Sequence, residues 1–288
     1  MRKEYELTIR TKAPLAHGAF SDGVSAGNYT KFRREPIVSL PGYPRVPVIS
    51  GNAIRGVLRR LIMRELFQKT SIEEFKEALG ETKGKRAWDR VYAMLCIGGT
   101  IEAAEQEINT AELRDMRKEF PALSVLGSAM YSQLMPGMVQ IGFAFPLCKE
   151  TLEAGIFDKT VFYAIPIIPA EDLLTEVGLV RHVDRENSDP ENSKVSPMPY
   201  TVEALATGTI LKTKISFQPM ATDLEISCIR HGFEMLTTLG GKSAVGFGDI
   251  ELEIDPYLNL DISKYLYQDW LAETDIKALL LKYSERVL

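Results

Sequence analysis

Alternating apolar and polar residues predict strands in several parts of this chain. Residues 5–11 and 209–217 alternate with period two, and residues 249–254 repeat the pattern near the carboxy terminus. Because successive side chains of a strand point to opposite faces, each segment is expected to cover a core with one face. Residues 138–146 and 160–165 are rich in β-branched and aromatic residues and are also predicted as strands.

Two helices are predicted between these strands, at residues 50–66 and 223–238. In the first, apolar side chains recur at about 100° per residue, so one face belongs to the core. Ser50 stands where its hydroxyl can cap the first turn. Arginines border the apolar face on both sides: Arg55, Arg59, Arg60 and Arg64. The first-turn amides and the positive dipole end of such a helix favour a phosphate there.

The order of these elements is that of a ferredoxin-like α+β unit. We predict a single domain over residues 1–288, with a helical insertion at about residues 65–120. The segment at about residues 178–208 is too polar for a core and is flanked by strand-like sequence. It is predicted to protrude as a β-hairpin.

The composition indicates a soluble globular protein. Its 288 residues are 45% hydrophobic and 25% charged. No apolar run approaches the roughly 20 residues that span a bilayer, and the amino-terminal residues lack a signal-peptide core. We therefore expect a cytoplasmic protein without a membrane partner. Three cysteines and three histidines are scattered without metal-ligand spacing, so neither a metal nor another cofactor is predicted.

Charge is distributed unevenly along the chain. The net charge is −5, yet residues 28–64 contain eight basic residues and one acid. Residues 249–288 reverse the balance, with nine acidic and four basic residues. This polarity fits a protein that binds a polyanion on one side and meets the next copy of itself on the other. Solvated surface charge is the alternative interpretation.

The glycine-rich run at residues 239–248 (LGGKSAVGFG) is a candidate phosphate cradle. Glycines let a backbone approach a ligand closely, successive amides form an anion-binding concavity, and Lys242 adds a positive charge. A Walker A loop or a dinucleotide fingerprint would open a helix, whereas this run leads into a strand. The alternative is a mobile hairpin turn.

Four features resemble the repeat-associated (RAMP) proteins of CRISPR systems. Residues 47–56 (PVISGNAIRG) are similar to the IPGSSLKG helix start of that family, and residues 125–129 (VLGSA) to its LFGS turn. The polar segment and the glycine-rich run follow in the order found in the family. Within it, the chain is most similar to the backbone subunit of crRNA-guided effector complexes, and in particular to the type IV branch.

The resemblance implies a ferredoxin-like, RRM-like palm with an inserted helical region and a protruding hairpin thumb. It also implies a subunit that forms a helical filament with copies of itself along a guide RNA (crRNA). Such a subunit joins other CRISPR effector subunits and presents the guide for pairing with a target nucleic acid. The residues predicted to bind RNA are Lys31, Arg33, Arg34, Ser50, Gly51, Asn52, Arg55, Arg59, Ser128, Lys242, Ser243, Gly246 and Phe247.

In this family the thumb folds over the guide and displaces one base per subunit. The residues predicted to belong to it are Arg181, His182, Val195 and Met198. An apolar wedge at Val195 or Met198 would unstack a base, and packing within the hairpin is the alternative for both. Phe247 likewise has two interpretations, a base-stacking surface or an anchor of the glycine run.

No catalytic residue is predicted. RNA-cleaving relatives place an aspartate shortly before a Pro-Val or Pro-Ile pair, whereas Pro36 and Ile37 here follow two arginines and Glu35. The predicted function is therefore a non-enzymatic scaffold. The first alternative is a RAMP-type endoribonuclease, either a guide-processing enzyme with His17 as general base or an enzyme that cleaves target RNA with an acid of the first loop. A loop-capping histidine is the structural interpretation of His17, and a protein-only assembly factor is the second alternative function.

Overall fold

The computed structural model describes residues 3–18, 29–70, 77, 91–99, 110–130, 133–157, 167–181, 198–255 and 265–284. Within these ranges the strands are β1 (Lys3–Thr11), β2 (Tyr29–Thr30), β3 (Arg34–Pro36), β4 (Arg45–Pro47), β5 (Ser128–Met130), β6 (Gln133–Met135), β7 (Val139–Ile141), β8 (Phe145–Pro146), β9 (Leu174–Arg181), β10 (Met198–Leu205), β11 (Ile210–Phe217) and β12 (Ile250–Ile254).

The α-helices in the same ranges are α1 (Gly51–Gln68), α2 (Thr110–Glu119), α3 (Pro121–Leu126), α4 (Lys149–Glu153), α5 (Asp223–Glu234), α6 (Leu266–Glu273) and α7 (Ile276–Ser284). A π-helical turn occurs at Ala93–Ile97, and 3₁₀ turns occur at Ala170–Leu173 and Ser243–Val245. None of the described helices has the length and apolar character needed to cross a membrane.

A five-stranded antiparallel sheet forms the centre of the fold. Its order is β12–β1–β11–β7, and β8 also pairs with β11. Leu7 of β1 lies opposite Thr213 of β11 and Ile254 of β12. Leu7 and Ile9 are fully buried, so the period-two pattern of the sequence marks the core face of β1.

Helices α1 and α5 complete the core of this sheet. Ile54 and Leu58 of α1 join Ile229 and Phe233 of α5 in one buried cluster with Leu7 of the sheet. The chain order β1, α1, β7 with β8, β11, α5, β12, combined with the observed strand order, is the ferredoxin-like arrangement. The predicted α+β fold is therefore confirmed.

The described parts of the lateral region are helical, as the sequence predicts. Met94 of the π turn, Met116 of α2 and Leu123 of α3 are buried in the same core. Ser124 of α3 donates a hydrogen bond to the buried carboxylate of Glu225 on α5, at 2.5 Å. The expected bounds of the insertion and the single-domain organisation stay predictions. Helices α6 and α7 were not predicted from the sequence.

Two predicted elements are less continuous or shorter than the periodicity suggests. The strand expected at residues 138–146 is divided into β7 and β8, because Ala144 exchanges both backbone hydrogen bonds with Ile49, at 2.9 and 3.1 Å. The helix expected at residues 223–238 ends at Glu234, and Leu239 instead donates to the carbonyl of Gly248 at 2.9 Å. Long-range pairing therefore overrides local pattern at both places. The strand predicted at residues 160–165 lies outside the described residues.

The predicted thumb begins as an antiparallel pair. Strands β9 and β10 are in register from Leu174 opposite Leu205 to Arg181 opposite Met198, and β2 adds to β10 in parallel. Arg181 and Met198 thus face each other at the outer end of the ladder. The predicted thumb residues His182 and Val195 lie outside the described residues, so the tip and its wedge stay predictions.

Candidate nucleic-acid interface

Segments distant in sequence meet at one cavity of about 840 Å³. Its lining comes from the loop after β1, the outer face of α1, the π turn, the β5–β6 pair and the glycine-rich run. The side chains relevant to binding are His17, Asn52, Arg55, Arg60, Tyr92 and Ile97. The structure therefore brings the helix start and the glycine-rich run, both predicted from sequence, to one site.

The start of α1 is fixed by two residues with structural roles. Ser50 is the N-cap, and its hydroxyl accepts from the amide of Ala53 at 3.3 Å. A Cβ at Gly51 would lie 2.0 Å from the carbonyl oxygen of Ile141, so only glycine lets the helix begin against β7. Asn52, the next residue, is exposed and lines the cavity. Of the three predicted RNA-binding residues here, Asn52 is the one with a side chain at the surface.

His17 connects the loop after β1 to the helix start. Its Nε2 accepts a hydrogen bond from the amide of Ser50 at 3.3 Å, and its ring lies edge-on to Phe32. Burial and the neighbouring Arg33 charge lower the pKa of His17 below 6.5. A neutral imidazole that accepts a backbone hydrogen bond is the form that these contacts favour. The geometry therefore supports the structural interpretation of His17.

Arg59 does not lie at the helix border as a free cation, which corrects its predicted role. Its side chain is only 4% exposed. Nη2 donates to the carbonyl oxygens of Leu126 and Gly127 at 2.9 and 2.6 Å, and Nη1 donates to that of Leu95 at 3.4 Å. Burial, with a smaller effect of Arg55, lowers the pKa of Arg59 to about 10. Arg59 therefore remains charged at neutral pH and holds α1 to the turn after α3.

Arg55 and Arg60 line the cavity together with the buried Arg59. Arg55 is half-buried and donates to the carbonyl of Leu126 at 2.5 Å, and burial lowers its pKa. Arg60 is exposed. The sequence placed Arg60 beside the apolar face but did not select it for binding. The structure makes it the more accessible of the two guanidinium groups.

Ser128 lines the cavity and has a structural role there, while its contact with RNA stays a prediction. It is 5% exposed, and its hydroxyl donates to the carbonyl of Met94 at 3.0 Å. This bond joins β5 to the π turn on the far wall of the cavity. The LGS sequence therefore shapes the site through its backbone and its buried hydroxyl.

The glycine-rich run closes the cavity beside His17. Gly240 adopts φ +83°, and a Cβ there would lie 2.3 Å from the carbonyl of Ala16, while the amide of Gly241 donates to that same carbonyl at 2.8 Å. Lys242 is exposed in the left-handed conformation, with Nζ 4.4 Å from the ring centroid of Tyr200 on β10. Ser243 and Gly246 are exposed in the turn that follows. The run therefore offers an exposed lysine and exposed backbone beside strand β10 of the β9–β10 pair.

Phe247 anchors this run and is buried, which corrects its predicted base-stacking role. It is 5% exposed and packs with Ala16, Val202 and Ala204. A ring that is this deeply buried has no exposed face on which a base could stack. The anchoring interpretation is the one that the contacts support.

The basic amino-terminal segment divides between two surfaces. Arg33 bonds Glu35 at 2.9 Å and lies over the ring of Phe143, and Lys31 is exposed. Arg34 instead donates at 2.5 Å to Glu203, a buried carboxylate of β10. It lines a separate cavity of about 520 Å³. The guanidinium of Arg34 therefore neutralises a buried acid of the same chain, and its contact with RNA stays a prediction.

An exposed apolar wall completes the cavity beside the start of α1. Tyr92, Ile97 and Leu134 line it and are 41, 69 and 68% exposed, respectively. These three residues were not selected from the sequence, because they lie in or near the region whose function could not be inferred. Within the described ranges, no cluster of three or more His, Cys, Asp or Glu side chains is placed to hold a metal ion. The expected absence of a metal stays a prediction.

The fold and site together define an α+β protein with a ferredoxin-like palm and a cationic cavity. No protein-family model matches the sequence, and no curated protein matches it. Among solved structures, a chain of the "Type IV-B CRISPR Complex" is similar with a TM-score of 0.56 and 19% sequence identity. The match covers 88% of this chain and 90% of that chain. At this identity the likeness is one of fold, and it extends over nearly the whole of both chains.

Proposed function

We propose that this chain is a non-enzymatic subunit of a CRISPR effector complex that binds the guide RNA (crRNA). The observation that carries the proposal is the cavity at which the helix start and the glycine-rich run meet. The likeness to a chain of the "Type IV-B CRISPR Complex" supports the same assignment at the level of the fold. Copies of the chain would line up along the guide, beside other effector subunits, and present it for pairing with a target.

The chemistry of the cavity suits single-stranded RNA. Arg55 and Arg60 supply positive charge in its lining, and the amino-terminal end of α1 adds the positive end of a helix dipole. The exposed Lys242 follows two residues after Gly240, the residue of the glycine-rich run that lines the cavity. Tyr92 and Ile97 offer exposed apolar surface on the opposite wall. Binding of single strands combines a charged groove for phosphates with flat apolar surfaces for bases. Because these cations would contact phosphates rather than base edges, we expect binding that depends little on the sequence of the RNA.

The binding test removes the accessible cations and leaves the buried ones in place. We expect Arg60→Ala/Lys242→Ala to weaken binding of single-stranded RNA and to lower the slope of log K against log salt by about 1.4, since each phosphate contact contributes about 0.7. The matched control is Arg10→Ala/Lys69→Ala, which removes two exposed cations that do not line the cavity. Fluorescence anisotropy over a salt series measures both. Unchanged affinity and slope in the first variant would refute the proposed site.

The absence of catalysis is part of the proposal. His17 would act as a general base only after it exchanged its hydrogen bond with the amide of Ser50 for one with a ribose hydroxyl. We expect no cleavage when the purified protein is incubated with repeat RNA, or with guide-paired target RNA, with and without Mg²⁺. Cleavage that His17→Gln abolishes would establish the endoribonuclease instead.

A further inference from the structure

An apolar groove of about 740 Å³ lies apart from the RNA cavity, with which it shares no lining residue. Its walls include Leu113 of α2, Pro121 of α3, Met138 before β7, and Met220 and Leu224 after β11. Met220 is 82% exposed. A large exposed methionine above an apolar groove is typical of a protein contact surface.

The rim of this groove is basic. Arg114 and Lys118 lie one turn apart on α2 and are exposed, and Arg117 between them donates to the carbonyl of Pro136 at 3.2 Å. Neither Arg114 nor Lys118 forms an ion pair with another described residue. The acid in the lining, Glu225, is buried and accepts hydrogen bonds from Ser124 and Thr222. The uncompensated charge at the rim therefore favours an acidic, apolar partner.

The chain itself carries a surface of that chemistry at residues 167–172 (IIPAED), which we call the acidic knob. Ile167 and Ile168 are 50 and 37% exposed, and Glu171 and Asp172 are exposed beside them. Backbone hydrogen bonds hold the knob in place. The carbonyl of Ile168 accepts from the amide of Lys149 at 2.9 Å, and the amide of Ala170 donates to the Glu150 carboxylate at 2.8 Å.

The groove and the acidic knob lie at opposite ends of β11. Lys149, which holds the knob, follows Pro146 of β8 closely, and Pro146 pairs with Leu211 near the start of β11. Met220 of the groove comes shortly after Phe217, the last residue of β11. A strand of eight residues spans roughly 25 Å at about 3.3 Å per residue. The knob therefore cannot reach the groove of its own chain.

We propose that the groove binds the acidic knob of a second copy of this chain. The two isoleucines pack against Met138, Met220 and Leu224, and Glu171 and Asp172 meet Arg114 and Lys118. Because the two surfaces differ and face opposite ends of the sheet, the contact is head to tail and joins copies into an open chain. It does not depend on RNA, although it gives the multi-copy subunit proposed above a defined route to assembly.

This contact differs from the one that charge along the sequence suggests. Glu251 of the acidic carboxy-terminal segment lies on β12 and is paired with Lys12 of the same chain, at 3.0 Å. Its charge is therefore already compensated in part. The acids of the knob have no such partner among the described residues, and the knob adds apolar area that the carboxy-terminal strand does not offer.

Disulfide trapping tests the geometry. The natural cysteines Cys96, Cys148 and Cys228 are buried, so new cysteines at Ile167→Cys and Met220→Cys can be oxidised selectively. In RNA-free protein, we expect an equimolar mixture of the two single variants to give a disulfide-linked dimer on a non-reducing denaturing gel. Either variant alone is expected to give no disulfide-linked product. The double variant is expected to form a ladder of higher oligomers. A disulfide needs Cα atoms within about 7 Å, so a bond within one chain is excluded.

Charge reversal tests the partner. Arg114→Glu/Lys118→Glu places acid against acid, and Glu171→Lys/Asp172→Lys places base against base, so each variant alone should lose self-association in sedimentation velocity. A mixture of the two variants restores both contacts, because the acidic groove meets the basic knob and the unchanged basic groove meets the unchanged acidic knob. We expect this mixture to recover association, with the two variants alternating along the chain. The Arg60→Ala/Lys242→Ala variant serves as the matched control, because it should lose RNA binding but retain self-association.

Three outcomes of the association experiments would overturn the docking proposal. The first is that the mixture of cysteine variants fails to cross-link. The second is that a single cysteine variant cross-links to itself as readily as the mixture does. The third is that the charge-reversal mixture stays monomeric. Loss of RNA binding in Arg114→Glu/Lys118→Glu, with association unchanged, would also overturn it, because the groove would then belong to the RNA path. None of these results alters the outcome of the binding test at Arg60 and Lys242.

Discussion

His231 of α5 lies with its Nε2 2.9 Å from a carboxylate oxygen of Glu65 on α1. The His231 ring also packs on Tyr267 of α6, with ring centroids 5.4 Å apart, and its Nδ1 lies 3.5 Å from the side-chain amide of Gln268. The bond to Glu65 raises the pKa of His231 above 6.5, although burial acts in the opposite direction, and the Glu234 charge adds a smaller increase. The ion pair therefore links the core helices α1 and α5, and the packing of His231 on Tyr267 adds α6 to the same cluster.

This ion pair predicts a pH dependence of stability. Because the folded-state pKa of His231 is raised, the stabilisation is fully present below the unfolded-state pKa of about 6.5 and is lost as the pH rises through the folded-state pKa. We expect the difference in Tm between wild type and Glu65→Gln to be largest near about pH 6 and to shrink towards about pH 8.5. Thermal unfolding of both proteins over this range measures it. A difference that grows with pH would contradict the assignment.

Arg59 is expected to matter for stability rather than directly for RNA. Arg59→Met removes the donor to Leu126 and Gly127, and we expect it to reduce the free energy of unfolding by about 3 kcal/mol. Arg60→Met, one residue further along α1, is the control and should change stability by less than about 0.5 kcal/mol. Urea denaturation distinguishes the two. Equal stability of both variants would show that the guanidinium of Arg59 is not required by the fold.

Two glycines of α1 should respond oppositely to alanine. Gly51→Ala places a Cβ 2.0 Å from the carbonyl of Ile141 and should destabilise the packing of α1 on β7. Gly56→Ala meets only the flexible end of Arg60, at 3.6 Å, and should stabilise the helix by about 1 kcal/mol. Thermal unfolding of both variants measures the effect. A stable, wild-type-like Gly51→Ala protein would be inconsistent with the described helix start.

Local pattern was sufficient for most of the central fold. The strand at β1, the strand at β11 and the capped start of α1 follow from period-two alternation, helical periodicity and the hydroxyl of Ser50. These features are encoded within a few residues of one another. The break between β7 and β8 is not, because it depends on the pairing of Ala144 with Ile49.

The site was harder to predict, because several of its side chains are committed to distant partners. Arg59 bonds a carbonyl 67 residues away, and Arg34 pairs with Glu203, 169 residues away. A helical wheel shows that Arg59 lies at the border of the apolar face of α1. It does not show that the carbonyls of Leu126 and Gly127 will accept hydrogen bonds from its guanidinium. The glycine-rich run meets His17 and the helix start because β12, which follows the run, pairs with β1. The order of elements predicted the fold that contains this pairing, but not which side chains would meet.

The most direct test of the proposed function is the RNA that the protein carries. The chain is expressed alone in bacteria and purified, and the nucleic acid bound to it and the size of the particle are measured after nuclease treatment. We predict an oligomeric particle that protects RNA in regular steps of one fixed length. A nucleic-acid-free monomer that cleaves repeat RNA would contradict the proposal and identify a processing nuclease.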